Sequence, residues 1–230
     1  MSAATHRLAL AEHTLEYTVT RSSRRRSIGL RIDARGLVVQ LPARAPLAEA
    51  ERVLRLKLDW VLRHLAARAA APAAVALGDG AIIHWLGTPR TLRLGAARSR
   101  LADDALWLSA PDATRLPAAL SQFLQRSARG YFAERVAVWS ARMGLTPRRV
   151  LLTSARGRWG SCSAAGDVRL NWRLMQAPAE VIDYVVIHEL AHLAELNHSP
   201  RFWARVEQVC PDWRHCRDWL KAHGAGLFHF

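Results

Sequence analysis

The chain has 230 residues, half of them apolar, and its 33 Lys and Arg against 19 Asp and Glu give a formal charge of +14. That is enough apolar side chain for one or two packed domains, and it excludes a disordered polyelectrolyte. Three cysteines without a CxxC pair exclude a disulfide framework, and the lack of an 18-residue apolar run excludes a conventional membrane span.

The charge is a weak pointer to function. Only Lys57 and Lys221 are lysines, so the basic excess is arginine, and it accompanies alanine-rich stretches as a coding bias would produce. Arg24-Arg25-Arg26 is the single triple run, and no nucleic-acid-binding motif is present. The first residues reach His6 and Arg7 before any sustained apolar stretch, so no secretory h-region is expected and the protein reads as soluble and cytoplasmic.

In chain order, Leu15 to Thr20, Ser27 to Ile32 and Leu37 to Leu41 read as strands, with a turn at Asp33 to Gly36. A helix is predicted from Pro46 to about Arg68, followed by a connector over 69–80. Further strands are predicted near 82–86, 91–94 and 106–109, the first two joined at Gly87 to Pro89. A long periodic helix follows from Pro117 to Met143, weakened at Gly130 and stopped at Gly144. Strands at 150–153 and 168–174 flank a turn-rich segment from Ser154 to Gly166, and helices at 178–196, 200–209 and 213–222 close the chain. No internal repeat is visible. The expected fold is α+β, with a β-rich N-terminal region over 1–80 carrying one helix and a second region over 81–230, either as two domains or as one continuous domain.

The segment from Val185 to Pro200 carries most of the chemical information, because it contains His188-Glu189-x-x-His192. Residues four apart lie on one helix face, so the two imidazoles can serve a single ion. Glu189 lies about one hundred degrees round the helix from His188 and can reach a water beside that ion without ligating it. Apolar neighbours (Val181, Ile182, Val185, Val186, Leu190) make this a buried helix, where an unsatisfied polar group costs on the order of 1–3 kcal/mol. A divalent metal removes that cost. A reading in which the histidines are satisfied by core hydrogen bonds leaves Glu189 unexplained.

The third ligand of a zinc hydrolase site should come from beyond the helix end, and His198 is the candidate. Its offset of ten from His188 matches the extended metzincin pattern, but Glu195 stands where that pattern has glycine and no Met-turn is recognisable. Asn197 offers a left-handed helix stop, and Ser199-Pro200 an N-cap and first turn for the next helix. The Arg156-Gly-Arg158-Trp-Gly160 segment has two readings: Arg158 near the metal as an oxyanion or substrate contact, or a tight turn with Trp159 in the core and glycines at positive φ.

Gly157-Arg-Trp-Gly-Ser-Cys162, Val168-Arg-Leu-Asn-Trp-Arg-Leu174, Val185-Val-Ile-His-Glu-Leu-Ala-His192 and Asn197-His-Ser-Pro-Arg-Phe-Trp203 together resemble the YgjP-like metal-dependent hydrolases, a zincin-type metallopeptidase group. The resemblance implies a zincin-like C-terminal part with an HExxH active-site helix, Zn²⁺ on His188, His192 and His198, and Glu189 as general base. By analogy with zincins, Arg169 to Leu174 is the cleft-edge strand, which makes Asn171 a second candidate substrate contact beside Arg158. A peptide or protein is the leading substrate. A nucleotide phosphoanhydride is the alternative on the same site, suited to an arginine-rich cleft. A nucleic-acid-associated protein with structural zinc is a third reading, disfavoured because structural sites use four ligands with cysteine prominent.

Overall fold

The apolar alternation of the first forty residues closes into a four-stranded sheet. A computed structural model describes residues 5–10, 13–33, 36–69 and 77–228. In it β1 (Thr5–Leu10), β2 (His13–Ser22), β3 (Gly29–Asp33) and β4 (Gly36–Pro42) lie in the order β1-β2-β4-β3. The outer pairs are antiparallel and the central pair parallel. Alternate residues Leu8 and Leu10, Leu15 and Tyr17, and Leu37, Val39 and Leu41 are buried, as the period-two pleat requires. The expected turn residues Ala34 and Arg35, and most of the 69–80 connector, lie outside the described residues. β1 is an addition to the predicted elements.

The helix predicted over 46–68 is two helices, α1 (Leu47–Leu56) and α2 (Leu58–Ala69), interrupted at Lys57. Leu54 and Leu58, four apart, point to one side, and Leu56 between them points away from it. Leu54 and Val61 are buried against the sheet, while Leu56 is left 71% exposed.

The chain divides into two compact units, Met1–Ala73 and Ala74–Phe230. The second opens with β5 (Ile82–Trp85), β6 (Thr88–Leu94), β7 (Arg100–Ala102) and β8 (Ala105–Leu108), in the order β5-β6-β8-β7. Its outer pairs are antiparallel and its central pair parallel, so the path of the first sheet is repeated where the sequence shows no repeat. Leu86 and Gly87 form the β5–β6 turn with φ of 49° and 79°, the two-residue loop with both φ positive that matches hairpin twist. A Cβ at Gly87 would lie 2.9 Å from the Pro178 Cα, and the Leu86 N–H donates to the Met175 carbonyl at 2.8 Å. The hairpin tip thus holds the segment that leads into the histidine-bearing helix.

α3 (Leu116–Met143) buries Leu120, Leu124, Ala128, Phe132 and Val136 at helical spacing and stops at Gly144, whose φ is 63°. Gly130 does not break it. β9 (Arg149–Thr153), β10 (Gly160–Cys162) and β11 (Asp167–Asn171) form a third sheet in the order β10-β11-β9. The expectation of an edge strand at 169–174 is therefore corrected: β11 is central, and the chain leaves it at Asn171 for a 3-10 turn over 172–176. The edges are β9 and β10, the latter three residues hidden in the segment expected to be turns.

α4 (Ala179–Ala191), α5 (Pro200–Val209) and α6 (Trp213–His223) complete the α+β fold, β-rich in its N-terminal half and helical toward the C-terminus. Val181, Ile182, Val186 and Leu190 anchor α4 in the core, and a two-pronged Arg135–Asp183 pair at 2.6 and 2.7 Å ties it to α3. Among the described residues no helix is long and apolar enough to cross a membrane.

Candidate metal centre

α4 ends five residues earlier than the periodicity predicts, at Ala191, because the chain tightens there: Leu193 and Ala194 donate to carbonyls three residues back at 2.9 and 3.1 Å. Asn197 is not left-handed; the described non-glycine residues with positive φ are Leu86 and Asp103. The turn from α4 to α5 is a short irregular loop, and Ser199 Oγ caps α5 by accepting from the Phe202 N–H at 3.3 Å, with Pro200 in the first turn.

This loop brings His198 back over α4. One ring nitrogen from each of His188, His192 and His198 lies within 4.8 Å of the others, and the His188 and His198 Nε2 atoms are 3.0 Å apart. Aromatic rings hold the imidazoles: Phe202 packs on His192 at 4.5 Å and on His188 at 4.9 Å, and Trp203 stacks along His198 at 5.7 Å. Trp203 is itself stacked on Trp213 at 4.0 Å, which links α5 to α6.

Electrostatics favour neutral imidazoles at His188 and His192. Burial, then the neighbouring His192 and His198, lowers the His188 pKa to about 3, and burial lowers that of His192. The Glu195 carbonyl, which can only accept, lies 3.0 Å from His192 Nδ1, so Nδ1 carries the proton and Nε2 keeps its lone pair. His188 Nδ1 is buried without a hydrogen bond. Three imidazoles converging beside the rings of Phe202 and Trp203, those of His188 and His192 half-buried and that of His198 exposed, are a donor set that suits a zinc-like divalent ion.

Glu189 is 6% exposed, and burial pushes its carboxyl up to about 7, opposed by the charge of Arg158. The backbone of β10 presses against it: a Cβ on Gly160 would lie 2.5 Å from Glu189 Oε1. Gly160 and Gly157 do not have positive φ, contrary to expectation; at position 160 glycine is required by close approach. Arg158 is exposed, whereas Asn171 is fully buried. The Asn171 amide donates to the Ala155 and Arg158 carbonyls at 2.7 and 3.2 Å, and its Oδ1 accepts from the Arg173 N–H. With its side chain bonded to the main chain in this way, Asn171 shapes the Arg158 loop from beneath.

A cavity of about 340 Å³ opens beside His188 and Glu189. Trp159, expected in the core, is half-buried and lines it with Val185 and Tyr184. α6 supplies Arg217, Leu220 and Lys221, residues that sequence reasoning missed, although their 3-4 spacing marks one helix face. Burial holds the Tyr184 phenol protonated, with its pKa raised to about 12.

Residues 26–223 match the family described as YgjP-like, metallopeptidase domain. The chain belongs to this family. Membership supports a metal-dependent peptidase, and the matched span includes every residue of the histidine cluster and its cavity. The structure is also similar in part to the metallopeptidase zymogen of Pyrococcus abyssi abylysin, at 24% identity over 39% of this chain and 91% of that one, with a TM-score of 0.37. The zymogen of Methanocaldococcus jannaschii jannalysin is similar at 17% identity over 36% and 89%, with a TM-score of 0.32. No curated protein is a significant match.

Proposed function

We propose that the protein is a zinc-dependent peptidase with His188, His192 and His198 as metal ligands and Glu189 as general base. The observation that carries this reading is the pairing of a three-imidazole cluster with a buried carboxyl one position along the same helix. Bound to the three rings, zinc supplies Lewis acidity toward water and toward a scissile carbonyl.

The protein's own groups do the rest. A carboxyl with a pKa near neutrality accepts a proton from an attacking water and returns it to the leaving amine, and Glu189 Oε1 and Oε2 are the atoms assigned to that transfer. Arg158 and Tyr184 are donors for the developing oxyanion. Asn171 is a positioning residue in place of the substrate contact first expected of it. The unpaired side of β10 is the edge along which an extended peptide adds by main-chain hydrogen bonds, because that strand touches Glu189.

Glu189→Gln is the direct test. It should retain zinc and lower kcat/KM by a factor of about 10²–10⁴, the range for loss of a general base. Wild-type turnover by that variant would end this mechanism.

A further inference from the structure

Resting on the peptidase reading, we infer that the cavity beside Glu189 is a specificity pocket for an acidic residue next to the bond cleaved. Its floor and its mouth differ in chemistry. Trp159, Val185 and Leu220 provide apolar surface for the methylenes of a side chain. Arg217 and Lys221, one turn apart on α6, provide two positive charges.

Among the described residues, neither charge has a close carboxylate partner. The carboxylate nearest Arg217 belongs to Asp218, whose Oδ1 is 3.9 Å from Arg217 Nε, and both side chains are more than half exposed, at 53% and 68%. A pair of that length and exposure contributes little. Arg217 lies over the Trp213 ring with its guanidinium carbon 5.0 Å from the centroid. A cation–π contact occupies no N–H as a hydrogen-bond donor, so the guanidinium keeps its donors for a carboxylate. Lys221 forms no ion pair with any described residue. Among the described residues, the one carboxyl lining the cavity is Glu189, set beside His188. A peptide lying along β10 with its scissile bond at Glu189 would place a neighbouring side chain in this space. A glutamate or aspartate there meets apolar walls along its stem and two cations at its tip.

The test uses the full-length zinc-loaded Glu189→Gln protein, whose slowed turnover lets binding be read, and isothermal titration with acetylated alanine pentapeptides bearing a central glutamate, glutamine or lysine. The glutamate peptide should bind about tenfold more tightly than the glutamine peptide, a difference of the size expected for one charge-assisted contact. Adding Arg217→Glu and Lys221→Glu should abolish that preference and favour the lysine peptide, and Lys221→Glu alone should reduce it. Equal affinities, no binding at all, or a preference indifferent to these substitutions would overturn the assignment. A nucleoside triphosphate that outcompetes the glutamate peptide through the same two side chains would also overturn it, in favour of a phosphate pocket. Wild-type turnover separates the two levels. Cleavage without preference defeats the acidic pocket and leaves the peptidase standing, whereas charge-dependent binding with no cleavage of any peptide does the reverse.

Discussion

The two four-stranded sheets of this chain follow the same path, with antiparallel outer pairs and a parallel central pair, yet their sequels differ. The first is followed by α1 and α2, and its buried set, from Leu8 to Val61, contains hydrophobic residues and the Tyr17 phenol. The second is followed by the long α3, a further small sheet, and a helix that buries Glu189 next to the half-buried His188 and ends at the half-buried His192. The wiring is therefore neutral with respect to chemistry. What distinguishes the second unit is the strand-and-helix insertion that lets β10 touch Glu189 and lets the α4–α5 loop return His198 to the other two rings.

That contrast can be broken from either side. His192→Ala should abolish zinc binding and reduce peptide hydrolysis by at least about a thousandfold, as measured by metal analysis and kinetics on the purified protein. In the first unit, Leu54 is fully buried, so Leu54→Ala should cost about 2–5 kcal/mol by denaturant unfolding. The zinc content of its folded fraction should be unchanged, and metal loss in proportion to stability would erase the distinction between the units.

Gly160→Ala tests the close approach at the site itself. Its new Cβ must displace β10 or the Glu189 carboxyl, so kcat/KM should fall about tenfold or more while zinc is retained. Full activity would show that the strand can yield without moving the carboxyl.

The smallest expected effect concerns acid stability. Arg149, then Arg148, hold the Asp167 carboxyl well below the usual carboxylate range through bonds of 2.6–3.1 Å. A depressed folded-state pKa contributes stability that is present above the unfolded value near 4 and is lost as pH falls below it. Asp167→Asn should therefore flatten the decline in Tm between about pH 4 and pH 2 relative to wild type. An unchanged acid limb would mean that the two arginines do not stabilise the start of β11.

Local signals made the regular elements and the histidine cluster legible in the sequence. Spacing along α3 marked its buried face, and the interval from His188 to His192 is a property of any helix. What escaped notice depends on tertiary approach. β10 is three residues long, has no alternation to detect, and is a strand only because β11 lies beside it. Gly160 looked like a turn residue because nothing local reveals that Glu189 packs against its Cα. Asn171 looked like a substrate contact because its burial follows from the Ala155 and Arg158 carbonyls, which are distant in sequence. The cationic mouth of the cavity lies on α6, whose arginine and lysine read as an ordinary solvated face.

The central claim is that three histidines, one of them delivered by a loop outside the helix, hold a single metal ion. The most direct test is zinc stoichiometry by elemental analysis of wild type beside His198→Ala, both purified under identical conditions. One zinc per chain in wild type and a large loss in the variant are the predicted results. Full occupancy in His198→Ala would contradict the account.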